Sequence, residues 1–212
     1  MSETIRNIAY NSIASLLIDR AYDDNMKSKY VELISEDILD QLKKSSSAYS
    51  YYVTTVLMNR NAHAWVHQRS FFHVDDDFHV RAEFNNEEWN AYSYVFAFLK
   101  ENRVSCYDRF QNHVNEVQDS IYRSMEKYLL GKEIYDPTTS KNSIVCIADS
   151  VLDDLVLKLS NFSFGINIYL AAKNCGSCSH SCGYCFSEDG STCQVYQNNG
   201  YFGCGHVVAF AN

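Results

Sequence analysis

The chain carries the same pattern twice. Ile34-Ser-Glu-Asp-Ile-Leu-Asp-Gln-Leu42 aligns with Ile147-Ala-Asp-Ser-Val-Leu-Asp-Asp-Leu155 at an offset of 113 (147 − 34). Held without a gap over the 53 positions from 34 to 86, that offset gives 12 identities, among them Leu39/Leu152, Asp40/Asp153, Leu57/Leu170, His67/His180 and Asn85-Asn86/Asn198-Asn199. Composition alone gives about three or four. Tyr22-Asp23 pairs with Tyr135-Asp136 at the same offset, and one residue drops out before Ala97-Phe98 meets Ala209-Phe210 at 112. A tandem duplication confines the fold to two like units, each completed within about 100 residues.

Both copies share one order of periodicities. Ile5, Ile8, Ala9, Ile13, Leu16 and Leu17 recur at three- and four-residue steps, as do Val117, Ile121, Met125, Tyr128 and Leu129, which predicts an amphipathic helix in each copy. A second helix follows, carried by Val31, Ile34, Ile38 and Leu42, and by Ile144, Ile147, Val151 and Leu155. The period then shifts to two. Tyr51 to Met58, Trp65 to His73, Phe78 to Phe84 and Tyr92 to Phe98 read as four strands. Phe162 to Leu170, Ser179 to Phe186, Thr192 to Tyr196 and Phe202 to Phe210 echo them. The expected class is α+β, with a first repeat at 1–99, a charged bridge at 100–112 and a Cys- and Gly-rich second repeat at 113–212. Gly165, Gly183, Gly203 and Gly205 are expected to weaken the second repeat's strands.

Charge argues against nucleic acid. The 212 residues hold 18 basic and 26 acidic side chains, a formal net charge of −8, and neither half supplies a basic tail. No apolar run reaches the roughly 20 residues of a membrane helix, and the first residues lack the apolar core of a secretory signal. Eight cysteines without such a signal suggest reduced thiols or a metal site.

The run Tyr52-Val-Thr-Thr-Val-Leu-Met-Asn-Arg-Asn61 resembles the first-strand signature of the Tctex-type dynein light chains. Ser70-Phe71-Phe72, Asp76, Val80-Arg-Ala-Glu-Phe-Asn85 and Tyr94-Val-Phe-Ala-Phe98 extend the likeness over about Ile5 to Leu99. A weaker version runs through Phe164 to Asn174, Glu188-Asp189-Gly190 and Val207 to Phe210. The resemblance implies a non-catalytic motor subunit with no cofactor, cytoplasmic and cytoskeletal, in the cytoplasm or a ciliary axoneme. Family members are dimers whose second strands cross to the partner's sheet. A dynein intermediate-chain segment adds as a further strand; other light chains or cargo are further partners, and nucleic acid and membrane are not.

Duplication implies that one polypeptide forms both halves of such a dimer and is a monomer in isolation. Copy one would lend Trp65–His73 and receive Ser179–Phe186. The partner-binding residues would then be Trp65, Val66, His67, Arg69 and Phe71 from one copy, and Ser179, Ser181 and Tyr184 from the other, whose strand also presents Gly183 and Cys185.

Cys175, Cys178, Cys182 and Cys185 form two C-x-x-C units that suit zinc in ligand type. Only three residues separate them, and Cys182 and Cys185 would point to opposite strand faces, so thiols are preferred over a zinc- or redox-responsive domain. A Tctex-like cargo adaptor outside dynein is the remaining alternative. His63, His67, His73 and His79 read as surface or edge residues, Asp75-Asp76-Asp77 as a solvated turn, and Glu36, Asp37, Asp40, Asp149, Asp153 and Asp154 as acidic helix faces. No phosphate loop or nucleophile motif suggests an enzyme.

Overall fold

A computed structural model of the chain describes residues 1–100, 110–173, 183–184 and 190–211. Helices α1 (Ser2–Leu17) and α2 (Lys27–Ser45) precede strands β1 (Tyr49–Asn59), β2 (Ala64–Phe71), β3 (Phe78–Asn85) and β4 (Trp89–Leu99). Helices α3 (Val114–Leu129) and α4 (Pro137–Lys158) precede β5 (Phe162–Ala172), β6 (Gly183–Tyr184), β7 (Gly190–Gln197) and β8 (Tyr201–Ala211). The order of the repeats is therefore the expected one.

The strands form two four-stranded antiparallel sheets, β3-β4-β1-β6 and β2-β5-β8-β7. Each repeat gives its second strand to the other's sheet. β2 pairs with β5 over eight residues, from Ala64 opposite Ala171 to Phe71 opposite Phe164. In the reverse direction Val53 and Thr54 of β1 pair with Tyr184 and Gly183 of β6. The compact units accordingly cut across the chain: Met1–Ala62, Val74–Asn102 and Gly176–Phe186 form one, and His63–His73, Arg103–Cys175 and Ser187–Asn212 the other.

In the first unit, Ile5, Ala9, Ile13 and Leu17 of α1 and Val31, Ile34, Ile38 and Leu42 of α2 pack on Tyr51, Val53 and Leu57 of β1. In the second, Val117, Ile121, Met125 and Leu129 of α3 and Ile144, Ile147, Val151 and Leu155 of α4 pack on Phe164, Ile166, Ile168 and Leu170 of β5. Each such buried aliphatic side chain contributes about 1.5–3 kcal/mol. Alternate residues of β1, including Tyr52, Val56 and Met58, are buried as well, so the strand is covered on both faces.

The repeat register shifts earlier than the sequence alignment suggests. β1 and β5 stand 113 residues apart, but β3 and β7 already stand 112 apart, as do β4 and β8. Hydrogen bonding confirms the shorter spacing. Asn86 Oδ1 accepts from Glu88 and Trp89 N–H while its Nδ2 donates to Leu17 O at 3.3 Å. Asn198 Oδ1 accepts from Gly200 and Tyr201 N–H while its Nδ2 donates to Leu129 O at 3.1 Å. Asn86 thus corresponds to Asn198, and the Asn85-Asn86/Asn198-Asn199 identity is one residue out of register. The Tyr22/Tyr135 pairing holds: Tyr22 stacks on Trp89 at 4.7 Å and Tyr135 on Tyr201 at 5.2 Å.

Two glycines expected to weaken the second repeat instead admit close packing. A Cβ on Gly205 would sit 2.5 Å from Ile121 Cγ2, and one on Gly203 would sit 3.0 Å from Met125 Sδ. Both let α3 approach β8. Asp77 departs from the solvated-turn expectation: it is buried, and its Oδ1 accepts from Leu99 N–H at 2.9 Å.

Candidate functional site

The ladder between β2 and β5 fixes which backbone groups β2 can offer. Ala172 N–H donates to His63 O at 3.0 Å, and the register continues without a bulge to Phe71 opposite Phe164. In an antiparallel ladder, hydrogen-bonded and non-hydrogen-bonded pairs alternate. His63, Trp65, His67, Arg69 and Phe71 therefore bond to β5, while the N–H and C=O of Val66 and Gln68 point to the strand's other side. Among the described residues no strand pairs there; β2 is an edge of its sheet.

The same reasoning applied to β3 and β7 gives a different result. Asn86 N–H bonds to Trp89 O, so the carbonyl of Arg81 points outward from β3, and Arg6 Nε of α1 donates to it at 3.3 Å. Asn198 N–H bonds to Tyr201 O, so the carbonyl of Cys193 points outward from β7, and Gln118 Nε2 of α3 donates to it at 3.2 Å. The same Gln118 group also reaches Thr192 Oγ1 at 2.9 Å. Helix side chains thus occupy part of these two rims, a familiar guard against unwanted edge pairing.

The side chains of β2 divide by face. Trp65 and Phe71 pack against the second unit's core. Trp65 Nε1 donates to Pro137 O at 3.1 Å, and Lys141 Nζ lies 5.5 Å from its ring centroid. Arg69 Nε and Nη2 pair with the two carboxylate oxygens of Asp149 on α4, the second contact at 3.3 Å. That carboxylate holds the Arg69 guanidinium even more firmly in its charged form than usual. With both side chains about two-fifths exposed, the pair contributes at most about 1 kcal/mol. Its value is positional: it fixes β2 on α4. Asp149 is thus more than a solvated acidic face. The row Trp65, Arg69 and Phe71 forms the α4-side wall of the edge.

Every residue of β2 is half-buried, His67 and Val66 included. His67 Nε2 is itself buried, whereas His73 is exposed with its ring edge-on to Phe71 at 4.8 Å. Of the second repeat's candidates, Tyr184 falls on β6, whose backbone pairs with Val53. Ser179, Ser181 and the four cysteines of the C-x-x-C units lie outside the described residues. Among the described residues no cluster of three or more His, Cys, Asp or Glu could hold a metal. Sequence reasoning named the β2 residues but missed their partners on α4, since nothing in the sequence spacing connects Arg69 with Asp149, 80 residues on. The stops at Arg6 and Gln118 were also missed; both sit on the polar flank of an amphipathic helix, where a rim contact leaves no periodic trace.

Residues 1–98 match the model of the Tctex-1 family. The match falls on the first repeat, and the family is one of non-catalytic, dynein light chain-like proteins associated with the cytoskeleton. The second repeat has the same order of helices and strands. The chain matches no curated protein. No helix among the described residues is long and apolar enough to cross a membrane.

Proposed function

We propose that the chain is a tandem dynein light chain that captures an extended segment of a dynein intermediate chain by strand addition along the side of β2 that faces away from β5. It would support motor assembly or docking, in the cytoplasm or an axoneme. The observation that carries the reading is the contrast among rims: β3 and β7 have outward carbonyls occupied by Arg6 and Gln118, while Val66 and Gln68 of β2 direct theirs to a side where no described strand pairs. Main-chain bonds to those groups would hold the guest, and side chains of the guest would read the wall formed with α4. Covalent linkage of the repeats keeps both halves at an effective concentration in the millimolar range.

Val66→Pro tests this. It removes an N–H that points away from β5 and leaves every β2–β5 bond in place, so the melting temperature should hold while intermediate-chain peptide binding falls at least tenfold. Phe71→Asp would not serve, because Phe71 packs on the core. Unchanged peptide affinity in a folded Val66→Pro chain defeats the proposal.

A further inference from the structure

The second repeat has a cavity on its helical face that the first repeat does not share in chemistry. Ser120, Arg123, Ser124 and Lys127 of α3 and Asp154 and Lys158 of α4 line about 190 Å³ of space, against the roughly 10–15 Å³ that houses one water. Three cations and one carboxylate meet there. Lys158 Nζ lies 2.8 Å from Asp154 Oδ2, so that the acid is internally neutralised. Arg123 reaches Asp119 only at 3.5 Å, with both side chains about 70% exposed, a contact easily exchanged for a better acceptor. Lys127 Nζ rests 5.0 Å from the Tyr128 ring centroid.

Hydroxyls complete the lining. Ser124 Oγ donates to Ser150 Oγ at 3.2 Å. Ser120 is 3% exposed, and its hydroxyl bonds the Asp154 carboxylate, which Lys158 also holds.

The repeat supplies an internal control. At the offsets of the two helix pairs, Arg123, Lys127 and Lys158 replace Asn11, Ser15 and Ser45, and Ser120 replaces Ile8. The first repeat fills the same place without cations: Gln41 Nε2 donates to Ser12 Oγ at 3.1 Å and to Asp37 Oδ2 at 2.8 Å. The fold therefore does not require the cations. They are concentrated here in a chain whose formal charge is −8.

We infer that this cavity binds a phosphoryl group, with Arg123 and Lys127 as the charged clamp. Arginine's planar fork and the lysine point charge are the usual pair for a tetrahedral dianion. The site is separate from β2 and does not depend on the strand-addition reading.

The full chain is titrated at low salt with inorganic phosphate, with a phosphoserine peptide and with the same peptide unphosphorylated, followed by amide NMR shifts. Saturable shifts centred on α3 and the end of α4 are expected with the first two and not the third. The exposed double variant Arg123→Gln/Lys127→Gln should keep its melting temperature and lose at least tenfold in affinity. Tighter binding of the phosphopeptide identifies a protein-borne phosphoryl group, and equal binding identifies free phosphate. Absence of saturable shifts with either phosphorylated probe, or unchanged affinity in the folded double variant, overturns the assignment.

Discussion

Ile168 of β5 stands opposite Gly205 of β8, at the position where the first repeat sets Thr55 opposite Ser93. The two repeats have solved one packing problem in two ways. In the first, Ser35 Oγ donates to Thr55 Oγ1 at 2.9 Å, and Thr55 meets Ser93 Oγ at 3.0 Å, a buried chain of hydroxyls. In the second, Ala148, Ile168 and Gly205 occupy those places, and Ile121 of α3 stands where α1 has Ala9. Bulk added on β5 and α3 is matched by bulk removed on β8. Gly205→Ala should therefore destabilise by about 1–3 kcal/mol through overpacking. Combined with Ile121→Ala it should cost less than the two single changes together, by about 0.5 kcal/mol or more in urea unfolding. Strict additivity would contradict the exchange of volumes.

The first repeat's hydroxyl chain makes the converse prediction. Thr55→Val keeps shape but strands Ser35 and Ser93, so it should cost about 1–3 kcal/mol. The triple change Ser35→Ala/Thr55→Ile/Ser93→Gly imports the apolar solution and should cost less than Thr55→Val plus the two other single changes. Chemical unfolding of the four variants decides it.

Gln118 should act as an edge stop rather than as a major source of stability. Gln118→Ala removes the bonds to Thr192 Oγ1 and Cys193 O and should lower stability by about 0.5–1.5 kcal/mol. It should also raise concentration-dependent self-association through β7, where Val195 is 45% exposed. Sedimentation of the variant and the parent at matched concentrations measures this; equal association would assign the bond to α3 alone.

Asp136 gives the pH dependence. It caps α4, with its carboxylate accepting from the Thr139 hydroxyl and from the Thr138 and Thr139 amides, ahead of Pro137 in the first turn. The Thr139 hydroxyl and then the Thr138 amide hold its carboxyl below the ordinary value of 3.8. A depressed folded-state value means stability that is present above 3.8 and lost as pH falls through the lowered value. Asp136→Asn should therefore unfold at lower urea than the parent at pH 7, with the gap closing as pH falls below 3.8 and through the lowered value. A gap that stays constant with pH would remove the carboxylate's charge from the account.

The duplication was the feature most easily read from sequence, because apolar positions such as Ile34/Ile147 and Leu42/Leu155 are held in both copies by the same core demand. Helices and strands followed from their periods. What escaped was whatever depends on contacts between distant segments. The dropped residue falls before β3, so the Asn85-Asn86 identity misleads by one position, and the strand spacing with the hydrogen bonds to Leu17 O and Leu129 O reveals Asn86 and Asn198 as equivalents. The glycines of β8 read as weak strand formers until the side chains of Ile121 and Met125 are placed above them. At the candidate site, β2 was legible as a lone strand, but its outward-pointing groups follow from the phase of its ladder with β5, which no local pattern encodes.

The exchange of second strands also bears on how the protein is made. Val53 waits for Tyr184, and Trp65 for Leu170, so the nascent chain can close neither sheet when its first hundred residues have left the ribosome. Until the second copy emerges, β1 and β2 have no partners from that copy to cover them. A ribosome stall or truncation between the repeats would therefore release a sticky fragment in place of a small working domain.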